Sequence, residues 1–305
     1  MITQKSSKNQ GLNPEVLDCA MSRPIIKRPH WVQGIWAPGV TILAGAPKSK
    51  KTFLALEMSL CITSSIPFAD TYPVTSSSIL YLHLDSDPDE VPERVHDVLN
   101  YYSWDYSKIF LIYNCPPGKP GLNLIYSYLK SHTEIKLLVI DTLGWIQPKS
   151  GQGGNLYLQD YQFMSAFKTL YSELGVSSLL LHHTRKMEAL SFLDEVSGSR
   201  GMTGGAHNIL VLSKNGAIHT LKGTGSKLKD DIELHFKFQD RFIITNEKQT
   251  IKQQIIILLA SGARHYKDLA KCMGKTEKNM SVVLSAMAAE GILQQLGNGV
   301  YGLEN

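Results

Sequence analysis

Gly45-Ala-Pro-Lys-Ser-Lys-Lys51-Thr52 carries residue types that can grip a polyphosphate. It follows an apolar run, Val40–Ala44, and precedes Phe53–Leu60, which reads as helix. A strand that turns through such a loop into a helix aims unpaired N–H groups and a partial positive charge at one point, and an anion binds there. Lys51 has the reach to meet β- and γ-phosphates, and the Thr52 hydroxyl suits Mg²⁺. Gly45, Ala46, Pro47, Lys48, Ser49, Lys50 and Phe53 complete the candidate cofactor-binding loop. The usual pattern has glycine directly before the lysine, where it permits unusual backbone angles. Lys50 stands there instead. A lysine-rich turn before a helix would share this composition.

Three further strand ends carry polar groups. Leu137-Leu-Val-Ile-Asp141 closes an apolar run in a carboxylate, which a phosphate loop needs nearby to hold Mg²⁺ through water. Ile79-Leu-Tyr-Leu-His-Leu-Asp85 ends a second run in an acid, a candidate base to orient an attacking water. Asp85 is one methylene shorter than Glu and lies where helix-capping acids are also common. Ser178-Leu-Leu-Leu-His182-His183-Thr184-Arg185-Lys186 ends a third run, and His183 is placed to sense a γ-phosphate. Neighbours on a strand point to opposite faces, so His182 and His183 do not suggest a shared metal. Beyond them, Ser197–Gly205 is glycine-rich and reads as a mobile loop able to carry DNA contacts, through Arg200, or to serve as a linker.

The elements that would position these groups alternate. Apolar runs at Val40–Ala44, Ser78–Leu84, Ile109–Tyr113, Leu137–Asp141 and Ser177–His182 are separated by helical stretches at Thr52–Thr63, Val91–Tyr101, Leu122–Ser131 and Leu158–Leu174. That alternation predicts an α/β fold with a parallel sheet covered on both faces. Asn208–Lys214, Ala217–Lys222, Ile232–Phe238 and Arg241–Thr245 read as antiparallel strands extending the sheet. Ligands of open α/β sheets sit beyond the carboxyl ends of the strands, where all these polar residues fall.

The ends of the chain read differently. Residues 1–28 are polar and read as a flexible arm before a core at 29–245. Residues 246–305 offer three helices, Ile251–Ala260, Tyr266–Cys272 and Lys278–Glu290, then a hairpin around Gly297-Asn-Gly299. This is the order of a winged helix, with Lys271, Lys275, Lys278 and Asn279 near the start of the third helix as candidate duplex-DNA contacts. The segment is only weakly basic, with seven Lys/Arg against five Asp/Glu, and could equally pack on protein.

Bulk composition is that of a globular chain: 305 residues, 43% hydrophobic, 19% charged and a formal charge of +4. Four scattered cysteines (Cys19, Cys61, Cys115 and Cys272) argue against a disulfide frame or a zinc site. No apolar run reaches membrane-spanning length and the first residues lack a signal pattern, so the expectation is a cytoplasmic protein with no membrane partner.

Taken in order, Gly45–Thr52, Leu80–Asp85, Val139–Thr142, His182–Lys186 and Ser197–Gly205 resemble the RepA-like branch of the RecA-fold P-loop ATPases. These are hexameric plasmid and phage replicative helicases related to DnaB and KaiC. The resemblance covers about residues 30–245 and implies a RecA-like core. It implies ATP with Mg²⁺ at Lys51, Thr52 and Asp141, Asp85 at the catalytic glutamate's position and His183 at the sensor. It further implies single-stranded DNA on the core and a ring or filament of identical chains. Lys50 and Asp85 depart from the family pattern, as do Ser226 and Lys227 where the family tends to show Gly-Arg-Asp. A lysine lacks the planar fork of an arginine finger. Two rivals follow: a catalytically weak, ATP-switched DNA-binding regulator or adaptor, and, less favoured for want of an arginine-rich lid, a small-molecule kinase.

Overall fold

Six parallel strands form the centre of the protein, in a computed structural model that describes residues 16–24, 28–85, 87–98, 102–148, 155–184, 193, 196, 200–245, 251–259 and 262–303. In chain order the elements are α1 (Leu17–Met21), β1 (Val40–Gly45), α2 (Lys51–Ser64), β2 (Ser78–His83), α3 (Glu90–Val98), β3 (Ile109–Ile112), α4 (Lys119–Ser131) and β4 (Ile135–Asp141). Next come α5 (Leu143–Ile146), α6 (Leu156–Thr169), β5 (Ser177–His183), α7 (Arg200–Gly204), β6 (Asn208–Asn215), β7 (Ile218–Gly225), β8 (Ile232–Phe238) and β9 (Phe242–Ile244). The last unit holds α8 (Ile251–Leu259), β10 (Arg264–His265), α9 (Tyr266–Cys272), α10 (Glu277–Ala289), β11 (Leu293–Gly297) and β12 (Val300–Leu303).

The large sheet has the order β3-β2-β4-β5-β1-β6-β7-β8-β9. Alternation within each strand divides the core. Leu43, Leu137, Val139, Leu179 and Leu181 pack on one face with Leu54, Met58 and Ile62 of α2. Ile42, Leu138, Ile140 and Leu180 pack on the other with Ile125 of α4 and Phe163 and Phe167 of α6. A strand buried on both faces must be apolar throughout, which explains the unbroken runs. α2 is buried nearly all round, from Leu54 to Thr63.

Two expectations need correction. β6 runs parallel to β1, with Ile42 opposite Ile209 and Gly45 opposite Leu212; only β7, β8 and β9 run antiparallel. The chain returns to the amino edge before entering β6, and apolar pattern alone carries no strand direction. The glycine-rich stretch is also not all loop. Residues 197–199 lie outside the described residues, but Arg200–Gly204 is helical and Met202 is fully buried. A Cβ on Gly205 would come within 2.3 Å of the Met164 Cβ, so glycine here serves close packing of α7 on α6. Of the expected arm, residues 1–15 and 25–27 are outside the described residues, Leu17–Met21 is a short helix, and Arg28 is tied to the core. Its guanidinium donates to the Tyr171 carbonyl at 2.6 Å and lies 4.1 Å from that ring's centre. No described helix is long and apolar enough to cross a membrane.

The last unit has its own core, built on Ile255, Leu259, Leu269, Met280, Leu284 and Tyr301. Its strands form a separate sheet, β10-β12-β11, and β11 and β12 are joined through Asn298 at φ 42° and Gly299 at φ 80°.

Glu57 is the exception in the apolar core. It is 2% exposed on α2 and accepts the Phe242 N–H at 2.9 Å, which holds β9 to the helix. Burial pushes its carboxyl up to about 8, against the pull of that hydrogen bond and of Arg241. Arg241 is itself paired to Asp70 at 2.5 Å and to the Tyr102 hydroxyl at 2.6 Å. One turn on, Cys61 is buried too, its thiol pushed up by burial and by Glu57. A carboxyl raised on folding leaves the unfolded chain less protonated than the native one, so stability is full below pH 4.5 and falls as pH rises to about 8. We expect Glu57→Gln, which keeps an acceptor for Phe242, to flatten that fall in thermal melts. It should raise Tm at the alkaline end by about 4 °C or more, one kcal/mol being worth about 2–4 °C in a domain of this size.

Candidate active site

The carboxyl ends of β1, β2, β4, β5 and β6 open onto one cleft of about 550 Å³. Pro47 through Phe53 line it from the loop after β1, Asp85 from the segment after β2, and Asp141 and Thr142 from the end of β4. His183 enters from β5, Lys214 from β6 and Arg94 from α3. Gly45 and Ala46 stand behind the cleft, where their carbonyls accept Lys51 Nζ at 2.7 and 2.9 Å. Glycine is required at 45, because a Cβ would lie 2.5 Å from the Leu212 carbonyl oxygen.

Lys50 occupies the turn that precedes α2, at φ 70° and ψ 25°, and Lys48 is also left-handed at φ 64°. The position therefore has the backbone that a glycine would adopt freely, and a lysine holds it at a cost of about 1–2 kcal/mol. Its ammonium rests 3.9 Å from the centre of the Phe53 ring and 4.7 Å from that of Phe238, contacts that partly offset the strain. Desolvation, then the charges of Lys214 and Arg94, hold the Lys50 pKa below its usual value.

Asp141 is 2% exposed, and burial pushes its carboxyl up to about 6. The Thr52 hydroxyl, the Arg94 charge and the Tyr81 hydroxyl, 3.3 Å from Oδ2, oppose that rise. His83 Nδ1 stands 3.9 Å from the same oxygen, on an imidazole whose pKa is lowered by burial and by Arg94. Because the Asp141 carboxyl is raised, its contribution is full below pH 3.8 and stability falls as pH rises to about 6. Lys51 is lowered by burial while Asp141 and Asp85 draw it back up. His183 is lowered by burial and by Lys51. The Trp145 indole donates to Asp85 Oδ1 at 2.8 Å.

The donor set fits a metal-bound triphosphate. Thr52 and Asp141 offer adjacent hard oxygens of the kind Mg²⁺ takes. Ser49 Oγ and His183 Nδ1 are buried beside them with no hydrogen-bond partner, and a phosphate oxygen would satisfy such groups.

Every residue expected to do chemistry meets here: Lys51, Thr52, Asp85, Asp141 and His183. Arg94, Lys214, His83 and Trp145 are additions. Lys214 gave no signal, because β6 was expected to run the other way. Arg94 lies four residues after Glu90, its ion-pair partner on α3, a spacing that reads as an ordinary helix-surface pair. The proposed DNA contacts stand elsewhere. Arg200 is exposed at the start of α7. Lys271, Lys275, Lys278 and Asn279 are exposed around the α9–α10 turn, where Thr276 caps α10 by accepting the Asn279 N–H at 3.3 Å. Ser226 and Lys227 lie at the opposite edge of the sheet from the cleft, against His207 and Asn208. Arg185 and Lys186 are outside the described residues.

This is a RecA-like α/β core with a P-loop at the carboxyl edge of its sheet. Residues 12–189 match the family model described as AAA domain, more than half of the chain, and the chain belongs to that family. Among solved structures it is similar to a helicase ATPase domain, with 15% identity over 68% of this chain and 85% of that one, at a TM-score of 0.52. A RadB recombinase structure overlaps 70% of this chain and 92% of its own at 13% identity, with a TM-score of 0.49. No curated protein sequence matches.

Lys50→Gly and Lys50→Ala both remove the ring contacts, and they differ in backbone freedom. We expect the glycine variant to be the more stable by about 1 kcal/mol in urea unfolding.

Proposed function

We propose that this chain binds and hydrolyses ATP with Mg²⁺ and couples turnover to movement on DNA, as a RepA-like helicase serving replication of a mobile element such as a plasmid. The observation that carries the reading is the Thr52 hydroxyl bonded to the Asp141 carboxylate, beside Lys51, in a cleft that also gathers Asp85, Arg94 and His183. The likeness to a protein described as an ATPase domain is in keeping with it.

In this reading Lys51 leaves the Gly45 and Ala46 carbonyls for the β- and γ-phosphates, and the loop N–H groups take the remaining oxygens. Thr52 and Asp141 hold Mg²⁺, which draws charge from the phosphates when bound. Asp85 orients the attacking water and accepts its proton. Arg94 and Lys214 add positive charge from within the same chain, and His183 meets the γ-phosphate. Single-stranded DNA runs along Ser197–Gly205 and Arg200 of a ring or filament of identical chains in the cytoplasm. The unit from residue 251 has the helix and hairpin order of a winged helix, and Lys271, Lys275, Lys278 and Asn279 contact duplex DNA.

Magnesium and ATP should raise Tm, as ligand at 100 times its Kd stabilises by about 2.7 kcal/mol. Lys51→Ala should lose that gain. Asp141→Asn removes a buried charge, so at neutral pH it should stabilise the nucleotide-free chain by on the order of 1 kcal/mol while losing the magnesium-dependent part. Single-stranded DNA should accelerate turnover several-fold; an assembled protein whose hydrolysis ignores DNA contradicts the motor.

One observation favours an ATP-switched regulator or adaptor instead. Lys227 stands where the resemblance places an arginine, and a lysine cannot supply the same planar contact to a neighbour's nucleotide. On that reading ATP-dependent assembly, followed by mass measurement, survives Asp85→Asn unchanged.

A further inference from the structure

We propose that Trp145 is the positioning residue that aims Asp85 at the attacking water, an inference that rests on the ATPase reading of the same cleft. The chain has four tryptophans, and Trp31, Trp36 and Trp104 are 6%, 0% and 9% exposed. Trp145 is 57% exposed, so little of its ring packs against the core. Its indole nitrogen instead donates to Asp85 Oδ1 at 2.8 Å.

The platform under it is firm. Leu143 and Ile146, on either side in α5, are fully buried. The Ile146 carbonyl accepts the Gly118 N–H at 2.8 Å, and the Trp145 N–H reaches the Thr142 carbonyl at 3.2 Å. The platform is also short in sequence from Asp141, so it is registered to the metal-binding end of β4. β2 and β4 are neighbours with His83 opposite Asp141, and the Leu84 N–H donates to the Asp141 carbonyl at 2.7 Å. The indole–carboxylate bond extends this zipper from the backbone to the acid side chain.

An indole N–H is a donor only and is neutral. It fixes one carboxylate oxygen without offering a competing acceptor or charge, and it leaves Oδ2 of Asp85 for the water. An aspartate at a position where the resembled family has glutamate gains by being pinned, because its shorter stem leaves less freedom to search for the substrate.

Steady-state hydrolysis by the full-length chain tests this with Trp145→Phe, which keeps a ring and removes the donor. The expected result is a kcat about tenfold lower, since misplacement by about 1 Å can cost up to 100-fold, with KM for ATP within about twofold of wild type. Trp145→His places a ring N–H at the corresponding atom and should recover part of the loss. In an Asp85→Asn background Trp145→Phe should add no further loss. A wild-type kcat in Trp145→Phe, or a full additional loss on top of Asp85→Asn, overturns the positioning role while leaving the ATPase reading intact. A wild-type chain that turns over no nucleotide overturns both. Independently of turnover, the Trp145 indole N–H resonance, identified by its loss in Trp145→Phe, should shift in Asp85→Ala; an unmoved signal removes the bond on which the inference stands.

Discussion

The parallel pairing of β1 between β5 and β6 is the constraint on which the cleft depends. It brings Gly45, His183 and Leu212 level, with Gly45 opposite each of the other two. Because β2 and β4 continue the same direction, Asp141 and the segment holding Asp85 end at that edge as well. A single reversal among these strands would send its polar terminus to the far side. The apolar runs are therefore more than core: they set the height at which each acid, lysine and imidazole emerges.

Around that edge the charges are arranged in tension. Asp141 is buried deeply enough to resist ionisation, and Lys51 deeply enough to resist protonation, yet the Asp141 carboxylate draws Lys51 back toward its charged form. Thr52 and Tyr81 hydroxyls, together with Arg94, oppose the effect of burial on Asp141. Lys50 is held by Phe53 and Phe238 in a backbone conformation unfavourable to its own side chain. Sites that store such unfavourable terms release them when a complementary ligand enters, and stability is then exchanged for binding.

Much of this was legible in the residues. The strands at 40, 78, 109, 135 and 177 announce themselves as apolar runs too long for turns and too short for helices, and the loop after the first shows its glycine, lysines and threonine. What stayed hidden depended on direction or on distant partners. The orientation of β6 was invisible, since parallel and antiparallel strands can share one apolar pattern, and with it went Lys214. The helix at Arg200–Gly204 was masked by glycines that serve proximity to Met164. The link from Trp145 to Asp85 spans 60 residues of sequence. The last unit was read from helical periods and a Gly-Asn-Gly turn, both local signals, and its elements fall near the expected boundaries.

Cys61 has a consequence of its own. It sits on the inner side of α2, the helix that starts at the phosphate loop, with a thiol that burial and Glu57 keep protonated. An alkylating reagent can reach that sulfur only when the helix lifts from the sheet, so its labelling rate measures how often the floor beneath the loop gives way. The protein thus carries an internal gauge of its own breathing, set a few turns from the place where a nucleotide would tighten it.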